Sequence, residues 1–166
     1  MNKKYELIDD DYLCLPNGKV LCRIRALRNL CNGVKVGDIG GYIETESNLS
    51  LSDDSWIYDD AMAYGDAYVS DGARVSGEAK VYDTAWVKGT KTEITKKSVV
   101  CGDSIVIDSV VTDSSEISGN ARVINSIISD RSIITNESVV FNACIRWGHN
   151  CGLNERGWGN RYGNNC

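Results

Sequence analysis

From Ile57 onward a Val or Ile returns at 69, 75, 81, 87, 94, 100, 106, 111, 117, 123, 128, 134, 140 and 145, and Ala63 fills the one remaining slot. Two places before every slot after the first stands Ala, Ser or Thr. The basic step is six residues, which neither the period of a strand nor that of a helix requires. Four steps depart from it: 87 to 94 takes seven residues, while 106 to 111, 123 to 128 and 140 to 145 take five. Those departures follow the sixth, ninth, twelfth and fifteenth slots, always the same third of a three-step cycle. A chain wound round a triangular prism confines length changes in this way, because one corner absorbs the added or deleted residue. The near-copies "VIDSVV", "VINSII" and "VFNACI", 17 residues apart, then mark turns of six, six and five residues.

Each step reads as a short strand and a turn. The β-branched residue points into the prism, and the small residue sits where a larger side chain would collide with the next coil. Gly, Asp or Asn often precedes it, as in "YGDA", "SGEA" and "SGNA", and supplies the backbone conformations of a tight corner. The pattern predicts an all-β, single-stranded parallel β-helix of about five triangular coils, stacked about 4.8 Å apart into a rod about 25 Å long. A sandwich of hairpins would instead give turn signals every 8 to 12 residues with period-2 alternation. A pentapeptide solenoid needs a period of five, and ice-binding helices carry ranks of Thr-x-Thr that are missing here.

The ends differ from the repeat. Residues 4–27 read as a hairpin around Pro16-Asn17-Gly18 that caps the first coil and shields its strand edges. Val20, Cys22, Ile24 and Ala26 share one face of its second strand; Arg23 and Arg25 share the other, beside Asp9, Asp10 and Asp11, as a solvated, ion-paired face. The last 21 residues hold five Gly, five Asn, three Arg and the only His. The expected division is 1–50 as hairpin cap and lead-in segment, 51–145 as β-helix, and 146–166 as Gly/Asn-rich cap or tail.

A net charge of -5 argues against whole-surface binding to nucleic acid. No apolar run of signal-peptide or membrane-spanning length is visible, so a cytoplasmic protein with no membrane partner is expected. The seven cysteines contain no C-x-x-C; free, mostly buried thiols are expected, with no metal and no cofactor.

The repeats "VSDGAR" and "VSGEAK" carry an aliphatic residue with a small one four places later, and over residues 55–145 the chain resembles the left-handed β-helix of the hexapeptide-repeat superfamily. Ahead of them, "VKVGDIGGYIETESNLS" followed by "SWIYDDAMAYGDA" is similar to the start of the YdcK-like proteins common in phages and prophages. That resemblance implies the fold and a phage origin, without an active site. Enzymes of the superfamily are typically acyltransferases that bind acyl-coenzyme A between neighbouring prisms of a trimer, with a histidine as general base. His149 is the sole candidate here, with no carboxylate at a telling spacing.

The stronger lead is a rank of residues following the inward slot on one face: Ser70, Lys88, Ile107, Ile124, Phe141 and, one coil on, Trp158. Either the later members point outward as an apolar stripe of the kind that marks an interface, or the shortened corner turns them inward. Asp108, Asn125 and Asn142 align beside them as a corner stack. Tyr64 and Tyr82 align on another face next to Cys101, and Lys88, Lys91, Lys96 and Lys97 gather at the lengthened corner with Glu93 as their one offset. The expected function is a non-catalytic binding protein that recognises a host macromolecule, inhibiting a defence system or enzyme. Its candidate binding residues are Ile107, Ile124, Phe141, Trp147, Trp158, Arg156, Arg161, Tyr64 and Tyr82. A host protein is the expected partner, with a homo-oligomer, dimer or trimer, beside it and nucleic acid not favoured; an acyltransferase or a structural assembly protein is the alternative.

Overall fold

The computed structural model describes residues 3–147 and the backbone of 149–152. Three strands precede the first full coil: β1 (Tyr5–Cys14), β2 (Val20–Ala26) and β3 (Ile39–Ile43). The coils follow in threes. They are β4 (Trp56–Ile57), β5 (Met62–Ala63) and β6 (Tyr68–Ser70); β7 (Arg74–Val75), β8 (Lys80–Val81) and β9 (Trp86–Lys88); β10 (Glu93–Ile94), β11 (Val99–Val100) and β12 (Ile105–Ile107). Then come β13 (Val110–Val111), β14 (Glu116–Ile117) and β15 (Arg122–Ile124); β16 (Ile127–Ile128), β17 (Ile133–Ile134) and β18 (Val139–Phe141). A last partial coil, β19 (Ala143–Arg146), folds back as β20 (His149–Gly152).

Every third strand pairs in parallel, so three sheets enclose the core. The first face stacks Ile57, Val75, Ile94, Val111, Ile128 and Ile145 in one column. The second stacks Ala63, Val81, Val100, Ile117 and Ile134; the third stacks Val69, Val87, Val106, Val123 and Val140. Three-fold winding is thus the architecture, and the small residues of the repeat lie buried inside the corners, Ala61, Ala79 and Ser115 among them.

The solenoid has about six turns rather than five, because the lead-in segment supplies part of one. Ile43 pairs onto Ala63, and Leu49 bridges in parallel to Val69; both are fully buried. The step from Leu49 to Ile57 is eight positions, which hides the pair from a six-residue search. Gly41 takes the place of the small residue: a Cβ there would stand 2.4 Å from the Ala61 carbonyl oxygen. Between Ile43 and Leu49 a 3-10 turn, Glu46–Asn48, replaces the usual corner, and the buried Asn48 amide donates to the Gly65 and Ala67 carbonyls at 2.9 Å each.

The hairpin forms as expected, closed by Gly18 N–H donating to Leu15 O at 2.9 Å. It extends the second face, β2 pairing antiparallel with β3 and β3 in parallel with β5. Tyr5, Leu21 and Ile24 are fully buried. Tyr5 donates its hydroxyl to Leu49 O at 2.9 Å and meets Trp56 edge-on at 6.2 Å. Arg23 is ion-paired with Asp11 at 3.0 Å and Asp60 at 2.8 Å, and lies over the Tyr42 ring. It is more enclosed than a solvated face would make it, since its side chain is largely covered. The thiols also depart from expectation: Cys101 is buried, but Cys14 and Cys31 are exposed and Cys22 and Cys144 half-buried. The exposed pair sits in the added N-terminal segments, outside the repeat that buries small residues.

Candidate functional site

The corner between the third and first faces is built by the five-residue step. Ile107, Ile124 and Phe141 end β12, β15 and β18 in register. One residue then turns the chain in the left-handed region: Asp108 at φ 45°, Asn125 at 48° and Asn142 at 50°. Asn and Asp enter that region more readily than other non-glycine residues. Asn125 donates its side-chain amide to the Asn142 side-chain oxygen. Behind the turn, Ser109 Oγ donates to Ile107 O at 2.7 Å and accepts Ser126 N–H at 3.0 Å. Ser126 repeats the motif, donating to Ile124 O at 2.7 Å and accepting Ala143 N–H at 3.1 Å. Two hydroxyls therefore stitch three coils together, which makes this corner a rigid mount.

On that mount the apolar rank points outward, since the prism interior is already filled by Val106, Val123 and Val140. Ile107 and Ile124 are half-buried and Phe141 is 60 % exposed. Across the turn, Val110, Ile127 and Cys144 form a parallel outward rank on the first face, with Ile127 43 % exposed. Both sides of the corner are apolar in the last three coils, whereas the same position carries Ser70 and Lys88 lower down. Trp147, 74 % exposed, stands beyond β19. Single exposed apolar residues are ordinary, but a contiguous set is the mark of a contact surface.

Tyr64 and Tyr82 stack with ring centroids 5.0 Å apart and planes 5° from parallel. The Tyr82 phenol is held above its usual range by its hydrogen bond with Cys101 and then by burial; burial likewise raises the Cys101 thiol. Across the next corner Tyr68 meets Trp86 edge-on at 6.3 Å, and Lys88 lies over the Trp86 ring. Trp86, Ile133 and Val139, all well exposed, were not among the expected binding residues. Each directly precedes an inward slot, so strand alternation was the signal that points them outward. The lysine cluster is not a free basic patch: Lys96 pairs with Asp113 and Lys97 with Glu78, supplied by neighbouring coils, while Glu93 pairs with Arg74. Arg156, Trp158 and Arg161 lie outside the described residues, as does the side chain of His149, whose backbone stands opposite Arg146.

Among the described residues, no three His, Cys, Asp or Glu side chains gather closely enough to hold a metal ion, and no helix is long and apolar enough to cross a membrane. No family model matches this chain, and no curated protein matches it in sequence. The class of protein is thus an all-β parallel β-solenoid of about six turns with an antiparallel hairpin at each end.

Proposed function

We propose that the chain is a non-catalytic binding protein of the YdcK-like hexapeptide-repeat kind, phage- or prophage-borne. It acts in the host cytoplasm and recognises a host protein, in the manner of an inhibitor of a defence system or enzyme. The observation that carries the reading is the outward apolar corner of the last three coils, Ile107, Ile124 and Phe141 on one side and Val110 and Ile127 on the other. Its serine-stitched turns hold those side chains in place before any partner arrives, so little ordering entropy is lost on binding. Hot spots favour large side chains on a rigid patch, and Phe141, 60 % exposed at the end of the rank, is the largest side chain on it.

The test is capture from host lysate on immobilised protein. One host protein is expected in stoichiometric amount, its recovery falling at least tenfold with Phe141→Asp, at an unchanged unfolding midpoint, and holding with His149→Ala. Acetyl-coenzyme A binding that vanishes in His149→Ala would replace this reading by an acyltransferase.

A further inference from the structure

The terminal hairpin sets two cysteines opposite one another in backbone register. β19 and β20 run antiparallel with Ala143 opposite Gly152, Cys144 opposite Cys151, Ile145 opposite Asn150 and Arg146 opposite His149. Directly opposed residues of antiparallel strands have Cα atoms about 5.5 Å apart in hydrogen-bonded pairs and about 4.5 Å in the others. Both separations fall within the range of about 4.4 to 6.8 Å that a disulfide spans. The other paired cysteines are not so arranged: in the β1–β2 hairpin Cys14 stands opposite Val20 and Cys22 opposite Tyr12. Cys144 is a free, half-buried thiol on the outward rank of the first face, in register with Ile127.

We propose that Cys144 and Cys151 are a redox pair, a modification site that takes up a disulfide by exchange with a low-mass disulfide such as oxidised glutathione. One protein thiolate attacks a sulfur of the oxidant, forms a mixed disulfide and expels a glutathione thiolate. The second protein thiolate then attacks the mixed disulfide at the protein sulfur and expels the other glutathione. Two protein thiols are oxidised to one disulfide, the oxidant is reduced to two thiols, and the two cysteine protons pass to them. The bond fastens β20 to the last strand of the first face, and so anchors the hairpin beside the corner that bears Phe141.

The sequence makes the test direct, because Arg131, Arg146 and Arg156 separate the two cysteines into tryptic peptides 132–146 and 147–156. The full chain is incubated with oxidised glutathione, blocked with maleimide and digested. The two peptides are expected as one linked species in most chains, reversed by dithiothreitol, lost in Cys144→Ser and in Cys151→Ser, and kept in Cys101→Ser. Amide exchange across 149–152 is expected to slow about tenfold in the oxidised form. Maleimide on both peptides after oxidation would overturn the proposal, as would a bond from either cysteine to Cys166, or one zinc per chain protecting both thiols.

Discussion

The first two full coils and the last three obey one repeat, yet they are made of different small residues. In the former five of the six corner positions are alanine, Ala61, Ala67, Ala73, Ala79 and Ala85, and the sixth is Ser55; in the latter Ser or Thr stands at every one except Ala121. The N-terminal end of the prism is closed by Tyr5, Leu21 and Ile24, all fully buried, whereas at the other end Ile134 and Val140 are 8 % exposed and Ile133, Val139 and Phe141 face out. At the end that anchors the fold, apolar packing closes the prism around a few paired polar groups, Lys4 and Asn48 among them. At the end that presents apolar side chains, the Ser109 and Ser126 hydroxyls tie the corner bearing them from coil to coil.

The difference in closure is the easiest part to break. Ile24→Ala removes a side chain enclosed by the cap and should cost about 3 to 4 kcal/mol. Ile134→Ala, at an end where the column thins, should cost about 2 kcal/mol because the site collapses more readily. Urea unfolding of the two variants measures both. Equal losses would mean that the C-terminal end is packed as tightly as the N-terminal one.

What the sequence made legible follows from which residues repeat. The inward columns were readable because Val and Ile return at fixed intervals, and three-fold winding because the errors in spacing keep their place in the cycle. Ile43 and Leu49 escaped because a buried asparagine, not a strand corner, carries the chain between them. Whether Phe141 faces in or out was beyond the pattern, since alternation ends at a corner and the shortened step permits both. The lysine cluster looked unbalanced because its acids, Asp113 and Glu78, lie 17 and 19 positions away in sequence but one coil away in space. Cys144 and Cys151 gave no spacing signal, because a fold-back hairpin at the end of a parallel solenoid breaks the very period being counted.

The N-terminal cap also holds a buried charge, whereas no charged side chain is buried among the described residues of the last coils. Lys4 is fully buried, with Nζ donating to Ser50 O at 2.7 Å and Ser55 Oγ at 3.2 Å and standing 3.8 Å from Asp53. Burial lowers it to about 8, against a partial offset from Asp53. Between that value and the unfolded range near 10.5 the unfolded chain binds more protons, so stability rises with pH. The rise begins near pH 8 and should reach about 2 kcal/mol by pH 9.5. Above about pH 10 the buried Tyr5 phenol, raised by burial, reverses the trend, because the unfolded tyrosine loses its proton first. Urea midpoints from pH 7 to 10.5 should therefore show a maximum, and Lys4→Met should flatten the ascending limb. An unchanged limb in that variant would remove Lys4 as its source.

The finest separation lies within the serine coils themselves. Ser104 Oγ donates to Cys101 O at 2.8 Å, while the Ser98 and Ser115 hydroxyls, equally buried, have no partner. A paired buried hydroxyl contributes about 1 kcal/mol and an unpaired one costs about as much or more. Ser104→Ala should thus lower stability by about 1 kcal/mol, whereas Ser98→Ala and Ser115→Ala should raise it by about 1 kcal/mol each. Alanine already fits that column, as Ala61 and Ala79 show, so no cavity or clash confuses the sign. If Ser98→Ala destabilised the fold as Ser104→Ala does, its hydroxyl would have a partner after all, and the alanine and serine coils would differ in composition without differing in the way their corners are held.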